Sequence, residues 1–169
     1  MIQFKSKIEK FDFNHGQHHI RIPDKYVDQL MDDKHRRVLV HFNGHGPVHL
    51  AIFKAKSYWY LLINQQIRNK VKVRAGDEIE IEIERDHSQY GHEVPEEFSV
   101  MMEQEPEAKL VFDKLTPGKQ RTLIYIVNKV KNPESRMKKA LAITHHLKLC
   151  LGNLDYKQLN ELIKYYNNL

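Results

Sequence analysis

Eleven histidines are the first candidates for chemistry in this chain of 169 residues. His41, His45 and His49 flank an Asn-Gly dipeptide, so a hairpin there would bring two cross-strand imidazoles near a third at the turn. Tetrahedral zinc needs a fourth partner, and no Cys, Asp or Glu completes the set within the hairpin. The incomplete ligand set favours a solvated hairpin over a metal site, and no cofactor is predicted. A second loose group with the same deficiency consists of His15, His18 and His19.

Nucleophilic catalysis would require an activated side chain, and the sequence does not predict one. Cys150 is the single cysteine, and His145 and His146 stand five and four residues upstream, at spacings that orient them only loosely toward the thiol. The sequence contains no Gly-x-Ser-x-Gly elbow, Walker loop or Gly-x-Gly-x-x-Gly motif. We therefore expect a protein that is not an enzyme and has no catalytic residues. An isolated thiol fits a reducing compartment.

Positive charge is concentrated in one stretch of the chain. The formal net charge is +5, yet the first 93 residues hold 15 basic and 13 acidic side chains and nearly balance. Between Lys114 and Lys148, nine basic residues are opposed only by Glu134. A helix carrying them would either meet phosphates or another anionic partner, or form an ordinary solvated surface. The predicted anion contacts are Lys131, Arg136, Lys138, Lys139 and His146.

The apolar segments are too short to cross a membrane. Spanning a bilayer takes roughly 18 apolar residues, whereas candidates such as residues 58–63 have the length of a strand. The N-terminal residues alternate apolar and polar side chains and lack the continuous apolar core of a secretory signal. We expect a cytoplasmic monomer without membrane insertion.

A gapless internal repeat organises the first half of the chain. Residues 19–42 match residues 60–83 at a constant offset of 41. In each copy the apolar spacing changes from four residues to two, which predicts a short helix followed by a strand. Each unit is therefore predicted as strand, helix, strand. The six matching apolar pairs are Ile22 and Ile63, Tyr26 and Ile67, Leu30 and Val71, Val38 and Ile79, Val40 and Ile81, and Phe42 and Ile83.

Further strands complete a predicted small barrel. They extend over residues 2–13, 48–53 and 58–63, and Asn43-Gly44 is a strong cue for a hairpin turn. Asn64 is placed to cap the second short helix. About six strands with two short helices would close the barrel, with Tyr58, Trp59 and Tyr60 serving mainly as packing residues. Alternation predicts a core that includes Phe4, Ile20, Leu39, Leu50, Ile52 and Leu61.

The barrel sequence resembles a known element. An Ile-Pro pair, spaced apolar residues and the segment Ile-Arg-Asn-Lys-Val-Lys-Val-Arg-Ala-Gly-Asp-Glu-Ile-Glu-Ile over 67–81 are similar to the AbrB/MazE/MraZ double-split β-barrel, in which two such units intertwine. Here both units lie in one chain. This resembles the monomeric barrel domain of unknown function that precedes the YdeI/OmpD-associated helical domain in bacterial proteins. The resemblance implies an α+β fold, with a double-split (AbrB-like) barrel over residues 1–86 and an all-α region after it.

The second half is predicted to be helical. Residues 87–93 are polar and aperiodic and are predicted to form a linker to a helical domain over residues 94–169. Prolines near the starts of helix-like segments indicate at least four helices, and Thr116 and Asn132 are placed as N-caps. These prolines are Pro95, Pro106, Pro117 and Pro133.

A second resemblance covers this helical half. Val94-Pro95-Glu96-Glu97, Pro106-Glu107-Ala108, Phe112 with Leu115, and Lys131 with Glu134-Ser135-Arg136 resemble the YdeI/OmpD-associated (bacteriocin-protection) family. The small residues of the family pattern are shifted here, but its charges are kept. The resemblance implies a non-enzymatic binding or stress-tolerance protein, and it extends with the barrel over about residues 1–152. The alternative is a nucleic-acid-binding regulator that uses the basic helical region.

Overall fold

Six antiparallel strands close into a barrel in the first half of the chain. The computed structural model describes residues 1–12 and 16–169. They form two compact units, Met1–His87 and Ser88–Leu169. Around the barrel the strand order is β1-β2-β5-β4-β3-β6. The elements of this unit are β1 (Ile2–Lys10), β2 (His18–Ile22), α1 (Asp24–Leu30), β3 (Arg37–Phe42), β4 (His45–Lys54), β5 (Trp59–Leu62), α2 (Gln65–Val71) and β6 (Glu78–Arg85).

The two halves of the barrel pair in a register that maps onto itself. In the β2–β5 pairing, His19 lies opposite Leu62 and Arg21 lies opposite Tyr60. Adding 41 to the first number and subtracting 41 from the second converts the first pair into the second. The same operation converts the Val40–Ile83 pair of β3 and β6 into the Phe42–Ile81 pair. Exchanging β1, β2 and β3 with β4, β5 and β6 also leaves the strand order unchanged. The barrel strands therefore have an internal two-fold topology.

The barrel encloses an apolar core that only partly follows the predicted one. Ile20, Ile52 and Leu61 are buried, whereas Phe4 and Leu50 are half-buried against the core. The prediction for Leu39 is wrong, because its neighbours Val38 and Val40 are fully buried and successive strand residues point to opposite faces. Alternation indicates which residues share a face, but the closure of the barrel decides which face is inside.

The predicted hairpin turn is confirmed. Asn43 and Gly44 both have positive φ angles, 47° and 76°, as a tight two-residue turn between twisted strands requires. The Asn43 side-chain oxygen accepts a hydrogen bond from the amide of Glu80, which ties the turn to the neighbouring strand. β4 begins at His45, earlier than predicted, and β1 ends at Lys10 rather than continuing to Phe13, a residue that lies outside the described ranges.

The second unit packs five helices around its own core. Phe98, Phe112, Leu123, Ile143 and Leu147 are among its buried residues. Tyr90, which the sequence placed in a linker, packs its ring against Phe112 at a centroid distance of 5.6 Å, so residues near it take part in this core. The helices are α3 (Glu96–Gln104), α4 (Pro106–Asp113), α5 (Pro117–Asn128), α6 (Pro133–Cys150) and α7 (Tyr156–Asn167).

The predicted N-caps are confirmed, and they lead to a stability prediction. The side chains of Thr116 and Asn132 accept hydrogen bonds from the amides of Lys119 and Ser135. Replacing Asn132 with alanine leaves that amide without its acceptor, so we expect a loss of about 1 kcal/mol in the free energy of unfolding. Urea unfolding followed by circular dichroism at 222 nm measures it. Asn160→Ala, on the exposed face of α7, is the control and should not destabilise; equal losses in both variants would contradict the capping role.

Candidate functional site

The basic residues predicted to meet an anion lie on or near α6, and two of them contact the end of α5. Arg136 Nε donates to the carbonyl of Val130 at 2.8 Å. Lys139 Nζ donates to the carbonyl of Ile126 at 3.2 Å, and burial, followed by nearby Lys129, lowers the pKa of Lys139. Cations are stabilising where the last carbonyls of a helix lack intrahelical partners. These two side chains thus have a structural task within the domain.

The other predicted anion contacts differ in their surroundings. Lys138 pairs with Glu134 one turn earlier at 3.2 Å. His146 is only 1% exposed, and its Nε2 accepts a hydrogen bond from the amide of Asp155 at 3.1 Å. Lys131 is exposed. Anion binding by this set stays a prediction, with Lys131 its most accessible member.

The three hairpin histidines have separate neighbours. His49 Nδ1 lies 2.8 Å from a carboxylate oxygen of Asp86, whose side chain is inaccessible to solvent. His41 lies opposite Glu82 on the adjacent strand, and His45 is exposed at the start of β4. Within residues 1–12 and 16–169, no group of three or more His, Cys, Asp or Glu side chains is arranged to hold a metal ion.

The second histidine group divides between two faces of β2. His15 lies outside the described residues. His19 points outward, where it stacks on Phe11 with ring centroids 3.9 Å apart and lies 3.1 Å from Glu9. Burial is the main cause that lowers the pKa of His19, and it outweighs the opposing effect of Glu9. His18 alternates with His19 and therefore points toward the other face.

The outward-facing cluster around His19 is held together by mutual contacts. Arg21 Nε donates to Glu9 at 2.7 Å, and the Arg21 guanidinium lies 4.0 Å from the centre of the Tyr58 ring. The Tyr58 hydroxyl is 3.3 Å from His19 Nε2. The charged and aromatic groups therefore contact one another, with His19 Nδ1 left buried and without a hydrogen-bond partner among the described residues, and we assign the cluster to stabilising the outer surface of the barrel.

Three basic side chains converge at one end of the barrel. Lys10 lies two residues beyond buried Ile8 on β1, and His18 lies two residues before buried Ile20 on β2, so both extend the inward-facing rows past the apolar core. The third, Arg68, comes from α2. They line an open pocket of about 360 Å³, which we call the mouth pocket.

Backbone contacts fix this arrangement. The Ile63 amide donates to the His18 carbonyl at 3.0 Å, and Arg68 Nη1 donates to the Ile63 carbonyl at 2.8 Å. Ile63 therefore links β2 to the Arg68 guanidinium. Burial lowers the pKa of His18, and the positive charges of Arg68 and Lys10 lower it further. The other polar side chains lining the pocket are amides, and no carboxylate occurs among its described lining residues. The pocket is therefore electrostatically prepared for an anion.

The internal two-fold topology of the barrel supplies a comparison for the mouth pocket. An offset of 41 carries His18 to Trp59 and Arg68 to Val27. Lys54, which pairs with Trp59 as Lys10 pairs with His18, places its Nζ 4.9 Å from the centre of the indole ring. The positions equivalent to His18 and Arg68 thus hold the aromatic ring of Trp59 and the aliphatic side chain of Val27. The barrel topology itself therefore does not require basic groups at positions 18 and 68.

The sequence contains one signal for this pocket, although no local motif marks it. Arg68 differs in chemistry from its repeat counterpart Val27, and His18, one residue before the first copy of the repeat, differs from Trp59, one residue before the second. A residue that departs from its symmetry mate without a structural need is a candidate for function. Lys10 lies outside the repeated segment, so only the pairing of β1 with β2 could add it to the site.

Together these features define a two-unit protein, an antiparallel barrel with a basic mouth pocket followed by a helical domain. Residues 4–83 match the family model described as Domain of unknown function (DUF1905). Residues 92–148 match the model described as Bacteriocin-protection, YdeI or OmpD-Associated. The predicted resemblance to both families is confirmed over these ranges, and α7 lies beyond both. No curated protein and no solved structure matches the chain.

In the part of the chain that the structure describes, no helix has both the length and the apolar composition needed to cross a membrane.

Proposed function

We propose that the protein is a non-enzymatic binding protein whose barrel holds an anionic ligand in the mouth pocket. The convergence of Lys10, His18 and Arg68 on one pocket without a carboxylate carries this proposal. Like charges placed together repel one another, and a bound anion would remove that repulsion while accepting charge-assisted hydrogen bonds. At the symmetry-related position Lys54 corresponds to Lys10, but Trp59 and Val27 replace His18 and Arg68, which supports a functional rather than an architectural origin for these two groups.

Binding should depend on the two permanent charges. Lys10→Gln and Arg68→Gln each remove a cation, and we expect each to weaken anion binding about tenfold or more, because a hydrogen bond to a charged group contributes about 1.5–3 kcal/mol. Titration of the ¹⁵N-labelled protein with sulfate and inorganic phosphate at low ionic strength, followed by amide NMR shifts, measures the affinity. Unchanged Trp59 fluorescence verifies that each variant remains folded.

Lys7→Gln is the matched control. Lys7 is exposed on the same strand, faces outward and lies opposite Glu78, so its removal changes the net charge equally without changing the pocket. The control should bind anions as the parent does. If anion binding weakened equally in all three variants, overall charge rather than the pocket would explain it. Amide NMR shifts that never saturate with added anion would refute a binding site.

The family matches support the biological side of the proposal. Similarity of residues 92–148 to a bacteriocin-protection family supports a role in stress tolerance. We propose that the protein performs it in the cytoplasm and as a monomer. Deleting the gene and challenging the cells with cationic peptides tests this role. Unchanged survival would count against it.

Binding of duplex nucleic acid to the basic helical region is the alternative. It is favoured by the nine basic residues between Lys114 and Lys148 and by the exposure of Lys131. Such binding would weaken steeply with salt, with a slope near −0.9 for each phosphate contact. Retardation of DNA that is lost in Lys131→Gln but kept in Lys10→Gln would favour this alternative over the mouth pocket.

We also infer that the barrel is of the AbrB-like double-split type. The constant offset of 41 in the β2–β5 and β3–β6 pairings supports this assignment. In the closed strand order, β5 and β4 of the second half lie between β2 and β3 of the first half, so the two halves interleave. The expected helix in each half is present as α1 and α2. Superposition of an experimental structure of this barrel on AbrB-like dimers tests the assignment.

A further inference from the structure

We infer that the anion held in the mouth pocket is the phosphoryl group of a small phosphate monoester. This inference rests on the proposed anion-binding function and adds the ligand class. It depends on three features of the pocket: the directions from which donors reach it, the charge they carry and the shape of the opening.

The donors come from three different elements. Lys10 stands on β1, His18 is its partner on the adjacent strand β2, and Arg68 stands on α2, so the donors reach the pocket from three elements. A monoester presents three terminal oxygens around one phosphorus atom, so each of the three donors can meet its own oxygen. A carboxylate offers two oxygens in one plane and a diester offers two terminal oxygens, so with either ligand two of the three donors would have to share one oxygen atom.

The charges match a monoester as well. Lys10 and Arg68 supply two permanent positive charges, and a phosphate monoester carries about −1.5 to −2 at pH 7. A diester or a simple carboxylate carries only one negative charge and would leave the pocket with an excess positive charge. Amide side chains of Gln17, Asn64 and Gln65 complete the lining and can bind the ligand without adding charge.

His18 adds a proton-dependent contact. The backbone of Gly16 acts to raise its pKa, and in the neutral imidazole only one of the two ring nitrogens can donate a hydrogen bond. Burial and the facing charges of Arg68 and Lys10, with His19 beside it, keep the pKa of His18 low while the pocket is empty. A bound dianion reverses this local field. Binding should therefore be accompanied by uptake of a proton onto His18, which then becomes a third charged donor.

The shape of the pocket indicates a small ligand that is only partly enclosed. A volume of about 360 Å³ accommodates a phosphoryl group with a short substituent, and the pocket opens to solvent. The bridging oxygen can then point outward, carrying the remainder of the molecule away from the cations. A single compact pocket at the end of a barrel offers no continuous track for the backbone of a polymer.

Calorimetric titration of the full chain with methyl phosphate, dimethyl phosphate and acetate at pH 7 and low salt tests the ligand class. We expect methyl phosphate to bind at least about tenfold more tightly than the other two, because each of them has one negative charge and one terminal oxygen atom fewer. Lys10→Gln should reduce methyl phosphate binding about tenfold or more, and Lys7→Gln should leave it unchanged. Comparison of buffers with different ionisation enthalpies, made in titrations with sulfate because methyl phosphate itself exchanges a proton near pH 7, measures the proton uptake, which His18→Gln should abolish.

Titration with sulfate isolates the contribution of His18, because the charge of sulfate does not change between pH 8 and pH 6. Its affinity should rise as the pH falls in the parent protein and remain flat in His18→Gln. A pH dependence that survives in His18→Gln would overturn the assignment of the proton to this residue.

The outcomes separate this inference from the proposed function. Equal binding of dimethyl phosphate or acetate would overturn the monoester assignment and leave anion binding intact. Tighter binding of a single-stranded oligonucleotide than of methyl phosphate would overturn it in favour of nucleic acid. No saturable binding of any of these anions, sulfate included, would overturn both proposals.

Discussion

Replacing Phe42 with alanine is expected to destabilise the barrel by about 3–5 kcal/mol, the usual cost of truncating a buried phenylalanine. Phe42 is fully buried on β3 and lies opposite Ile81 of β6, at the seam where the two halves of the barrel meet. Loss of the ring removes apolar contacts and leaves a cavity that the surrounding strands cannot easily fill, because closure constrains them on both sides. The stability of the whole unit is thereby reduced.

Phe53→Ala provides a control with the same chemical change. Phe53 lies on β4 with 42% of its surface exposed, and its ring contacts Tyr60 at a centroid distance of 5.7 Å. We expect its replacement to cost about 1 kcal/mol or less, the range for an aromatic pair at a surface. Trp59 is the single tryptophan and packs against the barrel core, so its fluorescence during urea unfolding reports on this unit. Similar losses in the two variants would contradict the assignment of the inner face.

The barrel shows how far a periodic pattern determines a fold. The offset of 41 identified two strand–helix–strand segments, and it recurs in the register with which β2 pairs with β5. The same pattern was wrong for Leu39, because alternate side chains separate into two faces without indicating which one is covered. That choice depends on β6 and β4 lying on either side of β3, a long-range arrangement that the local pattern does not contain.

The mouth pocket could not be found from a local motif. Lys10 and Arg68 are far apart in sequence, and they meet only because β2 pairs with β1 on one side and β5 on the other. A motif search examines residues in consecutive stretches, so it found the hairpin histidines and the basic run instead. Comparison of each residue with its counterpart at the offset of 41 would have identified both positions, because His18 corresponds to Trp59 and Arg68 corresponds to Val27.

The basic helix illustrates the reverse problem. Lys139 and His146 stand seven residues apart on one face of α6, but that face packs within the domain. Lys139 reaches the carbonyl of Ile126 on α5, and His146 reaches the residue that caps α7. Helical spacing predicts which side chains point the same way, and tertiary packing then decides whether they meet solvent or protein.

The helical unit should lose stability in acid because of His146. Its Nε2 accepts the amide proton of Asp155, so the neutral ring with a lone pair on that nitrogen is the form that fits. Burial is the largest cause that lowers the pKa of His146, and neighbouring His145 adds to it, while Asp155 and Gln158 oppose it only partly. Protonation would place two donors against each other at the start of α7. The folded state therefore resists taking up the proton.

The direction of the pH effect follows from this lowered pKa. The unfolded chain binds the proton near the ordinary histidine pKa of about 6.5, before the folded chain does, so the stability is complete above that pH and declines as the pH falls below it. The free energy of unfolding should fall by up to about 1.4 kcal/mol per pH unit until the folded-state pKa is passed. Urea unfolding at pH 8, 7, 6 and 5, followed by circular dichroism at 222 nm, measures the slope.

His146→Gln cannot titrate but keeps an oxygen that can accept the Asp155 amide, so it should flatten this part of the pH profile. His35→Gln removes an exposed imidazole in the barrel unit and should leave the slope unchanged. The Trp59 transition, recorded in the same samples, reports any pH dependence of the barrel separately and should be the same in the parent and in His146→Gln. If the parent and His146→Gln keep identical slopes at 222 nm, another group must be responsible for acid unfolding, and the neutral buried imidazole would lose its role.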